Sequence, residues 1–224
     1  MTDHARISTG NQQADEILGG GFPANSINIV MGQPGTGKSI FAEQLVFENA
    51  GDDRPILYLT TLSEPLAKIV RHVQRFAFFD EEKVGRSVVY EDIGPQLVRG
   101  GIGALLECVA GAIATLAPKV IVIDSFKALH DLTPSPSELR RALYELTGLL
   151  TAFETTVFLI GEYTDEDSRR LPEFAVADGI LQFMRSPLIL SSCQFGRFDR
   201  PLCWARCRLM PGVRRAATAS ACSA

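Results

Sequence analysis

The chain has 224 residues, a formal net charge of −4 and a hydrophobic fraction of 46%. That length fits one α/β domain able to bury a core without disulfides or a structural metal, and the composition is globular rather than fibrous or disordered. No apolar run approaches the ~18 residues of a membrane span, and Met1–Arg6 has no apolar stretch behind its charges, so neither a membrane nor a secretory route is expected and the cytoplasm is the simplest compartment.

The charge is unevenly spread. Residues 1–185 hold 25 acids against 16 lysines and arginines, whereas residues 186–224 hold one acid, Asp199, against six arginines. Four of the five cysteines (Cys193, Cys203, Cys207 and Cys222) also lie in the second stretch. The chain therefore divides into a domain over residues 1–185 and an atypical Arg/Cys-rich tail over residues 186–224.

In chain order, Ile27–Met31, Ile56–Thr60, Val120–Ile123 and Thr156–Ile160 are short apolar runs, the pattern of strands covered on both faces. Val88–Tyr90 and Ile180–Phe183 are weaker strands. Between them, Leu66, Ile69, Val70, Val73 and Phe76 share one helical face. Ile102, Leu105, Leu106, Val109, Ile113 and Leu116 do the same, as do Leu139, Leu143, Leu146, Leu149, Leu150 and Phe153. Ser135-Pro-Ser-Glu138 reads as a capping box with proline at the first helical position. Strands alternating with helices predict a mainly parallel sheet in a three-layer α/β/α fold, with ligands beyond the carboxyl ends of the strands.

The segment Gly32-Gln33-Pro34-Gly35-Thr36-Gly37-Lys38-Ser39 follows the first of these strands and opens a helix through Ile40, the context a P-loop requires. Glycines let backbone amides surround phosphate oxygens without an obstructing side chain, and the helix adds its positive end. Lys38 supplies a compact charge for the β- and γ-phosphates, and the Ser39 hydroxyl is a hard oxygen ligand for Mg²⁺. By composition alone the pattern arises in roughly one chain in a hundred of this length. Its context lowers that further, so residues Gly32 to Ile40 are the expected ATP site. Asp124 closes an apolar strand about eighty residues later. It is either a second holder of Mg²⁺ or a cap on the following turn, and the P-loop favours the metal.

Ser8-Thr-Gly10, Asp15–Gly21, Pro23 and Ser26 precede the loop at a fixed spacing. With Gly32–Ser39, Ile56–Thr61, Ile123-Asp-Ser-Phe126, Gly161-Glu-Tyr163 and Val176-Ala-Asp-Gly179, they resemble the RecA-like ATPases of the KaiC group, which includes the circadian clock ATPase KaiC and the archaeal recombinase RadA. The resemblance covers about residues 6–185 and implies an ATPase core that assembles into homo-oligomeric rings or filaments with ATP at the subunit boundary. It also implies a catalytic carboxylate after the second strand, where KaiC has two adjacent glutamates. Aligned on Pro65, that pair falls on Leu62 and Ser63, and the only nearby acid is Glu64. Glu64 is either the base or a first-turn glutamate favoured by the helix dipole. Glu162 is a second candidate, as base or as γ-phosphate sensor. KaiC-type autophosphorylation has no identifiable phosphoacceptor here.

KaiC-type domains carry a late Lys-x-Arg strand that reaches a neighbour's ATP. The nearest match, Arg206-Cys-Arg208, has surroundings that do not read as a strand. The composition change after Arg185 reads as a disordered tail or as a shifted reading frame or truncated gene, either of which would impair ring assembly. Zinc binding by Cys193, Cys203 and Cys207 lacks a suitable fourth ligand. DNA binding by the tail arginines, or by a loop at Pro95–Gly103, is disfavoured because no aromatic array accompanies the arginines and the domain is acidic. The expected activity is slow Mg²⁺-dependent ATP hydrolysis in a regulatory or signalling role. A DNA-stimulated ATPase and a nucleotide-binding module with little hydrolysis are the other readings.

Overall fold

A computed structural model describes residues 5–61, 66–133 and 135–184, together with the backbone of 204–209. In chain order the elements are β1 (Arg6–Ile7), α1 (Gln12–Leu18), β2 (Phe22–Pro23), β3 (Ile27–Gly32), α2 (Lys38–Asn49), β4 (Ile56–Thr60), α3 (Leu66–Val73), β5 (Val88–Asp92) and α4 (Gly94–Leu116). Then follow β6 (Val120–Asp124), α5 (Leu129–Leu132), α6 (Pro136–Ala152), β7 (Thr156–Gly161), α7 (Asp167–Arg170), α8 (Glu173–Val176), β8 (Gly179–Met184) and β9 (Trp204–Leu209).

The main sheet has the order β5-β4-β6-β7-β3-β8-β9. Its first six strands are parallel, and β9 pairs antiparallel with β8. Side chains alternate across each strand, so one sequence run feeds two cores. Ile29, Leu57, Leu59, Ile121, Ile123 and Leu159 pack under α4, α5 and α6. Val30, Ile56, Tyr58, Val122, Phe158 and Ile160 pack under α2, with Ile69 and Val73 of α3. The result is the expected α/β/α arrangement of three layers.

The six strands read from the sequence are all present. Ser135 caps α6 as its pattern predicts, accepting from the Glu138 amide at 3.3 Å. Three local expectations change. The α3 helix stops at Val73 instead of reaching Phe76, and the chain tightens into turns. There Phe76 stacks on Phe78 at 5.3 Å, and Phe78 and Phe79 pack against Phe47 of α2. Aromatic packing on the neighbouring helix thus outweighs continued helix. Pro95–Gly103, one candidate for a nucleic-acid loop, is helical apart from Gly101, whose φ of 57° kinks α4. Finally, Arg206-Cys-Arg208 lies in β9, a strand that sequence patterning did not assign. An edge strand needs only a paired backbone on one side, so its apolar alternation can be weak. The remaining tail residues lie outside the described residues, and with them the expected character of residues 186–224.

Among the described residues, α4 alone is long and apolar enough to cross a membrane by length and composition, contrary to the expectation that no run would approach that size. It nevertheless buries Leu97, Ile102, Leu105, Val109 and Ile113 in the core beneath the sheet.

Candidate functional site

The parallel register brings the sequence candidates to one end of the sheet. Thr60 pairs with Asp124, Asp124 with Ile160, and Ile160 with Val30. The carboxyl ends of β4, β6, β7 and β3 therefore form one row. Asp124 stands two strands from the Gly32–Ser39 loop, about 10 Å across the sheet at ordinary strand spacing.

The loop is shaped by its glycines. Gly32, Gly35 and Gly37 have φ values of 152°, 71° and 92°, conformations an L side chain rarely adopts. At Gly32 a Cβ would also sit 2.5 Å from the Phe183 carbonyl of β8, so side-chain bulk is excluded twice. Thr36 is buried and ties the loop to itself, its hydroxyl donating to the Gln33 carbonyl at 2.8 Å. Lys38, 7% exposed, donates from Nζ to the same carbonyl at 3.0 Å. Gln33, Pro34, Gly35 and Ser39 are exposed, while Gly37 and Ile40 are half-buried. Helix α2 begins at Lys38 with Gly37 as its cap residue and no side-chain cap hydrogen bond, and a helix start of this kind is a position that favours anions.

The motif preceding the loop acts as a brace. Asp15 accepts from the Ser8 hydroxyl at 2.7 Å and from the Thr9 amide at 2.8 Å. Gln44 of α2 donates to the Gly10 carbonyl, and Asn49 of α2 exchanges bonds with Ser8 through both its side-chain groups. The N-terminal segment is thus docked along the helix that follows the loop. Asp178 does similar work at the far end of β3, accepting from the Ile27 amide at 2.9 Å and donating its own amide back at 2.7 Å.

Asp124 is half-buried at the tip of β6, and the peptide joining it to Ser125 is cis. The fully buried Tyr58 donates to Asp124 Oδ2 at 2.9 Å. Burial, reinforced by the charges of Asp124 and Glu43, pushes the Tyr58 phenol well above its ordinary range, so it remains a donor. Beside it, Tyr90 of β5 donates to Glu43 Oε2 at 2.6 Å, and the two phenol rings lie 5.4 Å apart. Glu43, 1% exposed, sits one helical turn beyond Ser39. Its burial raises the carboxyl to about 8, the Tyr90 bond opposes that, and Asp124 adds to it. Among the described residues, Glu43 Oε1 and Thr60 Oγ1 are buried without a hydrogen-bond partner.

Sequence reasoning missed Tyr58, Tyr90 and Glu43. The only signal was a glutamate among the buried positions Ala42, Leu45 and Val46 of α2. Glu162, by contrast, is exposed just beyond β7. Its carbonyl accepts from Lys127 Nζ at 2.8 Å, and Lys127 also pairs with Asp167 at 2.8 Å. Gly161 before it is pressed beneath the Tyr163 ring, where a Cβ would meet the ring at 2.3 Å. Glu64 lies outside the described residues. The structure thus gathers Lys38, Ser39, Asp124 and the end of β7 at one edge.

The family profile of the KaiC ATPase matches residues 7–188. The chain belongs to the KaiC family of ATPases. Among relatives, a UPF0273 protein of Methanopyrus kandleri is 27% identical over 174 residues, spanning 70% of this chain and 67% of that one. The circadian clock oscillator protein KaiC of Parathermosynechococcus lividus is 28% identical over 165 residues, which cover 70% of this chain and 30% of the clock protein. A DNA repair protein RadA of Aquifex aeolicus is 24% identical over 81% of this chain and 38% of its own length. The chain therefore corresponds to about a third of the clock and repair proteins. A crystal structure of a KaiC-like protein from Pyrococcus horikoshii superposes with a TM-score of 0.74 at 22% identity, covering 96% of this chain and 93% of that one, and shows the same fold.

Proposed function

We propose that this KaiC-family protein binds ATP with Mg²⁺ at the Gly32–Ser39 loop and hydrolyses it slowly, as a regulatory switch working in the cytoplasm. The observation that carries this reading is the placing of a glycine-shaped loop, a buried lysine and a half-buried aspartate on one end of a parallel sheet.

The residues present suit both groups. The positive end of α2 and the Lys38 ammonium suit phosphate oxygens. Ser39 and Asp124 offer the hydroxyl and carboxylate oxygens that a hard cation prefers. When bound, Mg²⁺ neutralises charge developing on the β- and γ-phosphates. Lys38 would exchange its bond to the Gln33 carbonyl for phosphate oxygens, which leaves the loop's own Thr36–Gln33 tie in place. Glu64 or Glu162 would orient the attacking water, and the family supports assembly of copies with nucleotide at their boundary.

The test is ATP turnover measured alongside molecular mass, with and without ATP and with and without single-stranded DNA. Slow turnover that DNA leaves unchanged, with a larger mass in ATP, supports the proposal. Strong stimulation by DNA would favour a recombinase-type ATPase, and binding without turnover would favour a nucleotide-sensing module.

A further inference from the structure

Strand β4 contributes to the cation site without supplying any candidate ligand. Tyr58 donates its hydroxyl to Asp124 Oδ2. Thr61, the residue after β4, donates its amide to the Asp124 carbonyl at 3.0 Å. The Thr61 hydroxyl then clasps the next residue, donating to the Ser125 carbonyl and accepting from the Ser125 amide, each at 3.0 Å. Side chain, carbonyl and following peptide of Asp124 are thus all held from one neighbouring strand.

We propose that Tyr58 and Thr61 are positioning residues for the divalent cation, fixing the carboxylate of Asp124 in the orientation from which it serves the metal. A carboxylate on a single-bonded Cβ turns readily about its last torsion unless hydrogen bonds hold it. A phenol buried on the core side fixes one oxygen and so sets the plane of the pair. Thr61 fixes the backbone that carries it. Outer partners of this kind typically govern metal affinity about ten- to a hundredfold. Tyr58 also belongs to the layer under α2, the helix that begins with Lys38 and Ser39. The inference rests on the ATP–Mg²⁺ reading of the site.

The experiment compares full-length wild type, Tyr58→Phe and Thr61→Val by calorimetry with ADP in EDTA, then by MgCl₂ titration at fixed ADP. Both substitutions keep the shape of the side chain and remove the hydroxyl. Metal-free ADP affinity should stay within about twofold, while half-saturation by magnesium rises about tenfold. In an Asp124→Asn background, Tyr58→Phe should add less than about a twofold change, because the group it acts through is gone. A purely structural role predicts the same loss in both backgrounds, and that result would overturn the proposal. So would unchanged magnesium half-saturation in the single variants. If Tyr58→Phe does not fold, Thr61→Val decides the matter by itself. Wild-type protein that binds no nucleotide would overturn the ATP reading and this inference together. Wild-type binding with indifferent variants overturns this inference alone.

Discussion

The phenol of Tyr90 meets the carboxyl of Glu43 at 2.6 Å, joining the outermost parallel strand, β5, to the helix that follows the glycine loop. Glu43 is 1% exposed, too little to hydrate a charge, and Tyr90 is half-buried beside it. A buried carboxyl in that position is more stable as the neutral acid.

The stability of the protein should therefore fall with rising pH in a way that Glu43 controls. The Glu43 carboxyl is raised from 4.5 to about 8 on folding, chiefly by burial. A raised pKa means the native state holds its proton longer than the unfolded chain does. The resulting stability is fully present below pH 4.5 and is lost as pH rises towards 8, at up to about 1.4 kcal/mol per pH unit. Glu43→Gln, which keeps the shape and removes the titration, should flatten this slope. Denaturant midpoints at pH 5, 6.5 and 8 test it; parallel profiles for wild type and variant would count against the buried acid.

Replacing Lys38 by alanine should abolish tight nucleotide binding while leaving the fold intact. Charge-assisted bonds to phosphate in a partly dry site contribute about 2–4 kcal/mol, equivalent to roughly 30- to 700-fold in affinity. The Thr36–Gln33 tie and the glycine geometry of the loop do not involve the Lys38 side chain, so they should persist in the variant. Calorimetry with ATP and a thermal melt on the same sample check both halves, and near-normal affinity would contradict the assigned role.

Gly32→Ala should damage both stability and binding. Its φ of 152° and the 2.5 Å separation between an added methyl and the Phe183 carbonyl leave no relaxed position for the side chain. A cost of about 2 kcal/mol or more is expected from strain at such a position. The melting temperature and the ATP affinity should fall together, whereas a variant as stable as wild type would show that β8 yields readily.

The segment after β7 should depend on Lys127 at low pH. Burial alone would raise the Asp167 carboxyl, but its bonds with Lys127 and Thr164 outweigh burial and bring it from 3.8 to about 2. A lowered pKa gives stability that is present above pH 3.8 and lost as pH falls through 2. In Lys127→Met the Asp167 titration should move up towards its ordinary value, read from the carboxyl-carbon NMR shift. An unmoved titration would assign the lowering to Thr164 instead.

Much of the fold was legible because its causes are local. The runs at Ile27, Ile56, Val120 and Thr156 announce strands buried on both faces, and Ser135-Pro-Ser-Glu138 announces the start of α6. Gly101 was harder, since a glycine-rich start to a helix and a loop share the same residues. The strand at Arg206-Cys-Arg208 was not legible, because its pairing with β8 supplies a partner that no local pattern announces. Of the site, the Gly32–Ser39 loop and Asp124 could be named from the chain, whereas the partners of Asp124 could not.

The sequence by itself determined the glycine-shaped loop and the alternation that builds a parallel sheet, because positive φ at glycine and strand or helix periodicity are set by residues close in the chain. Only the tertiary structure decided which buried hydroxyl meets which carboxylate. Tyr58 reaches Asp124 across 66 positions and Tyr90 reaches Glu43 across 47, so strand order and register, not neighbouring residues, select those bonds.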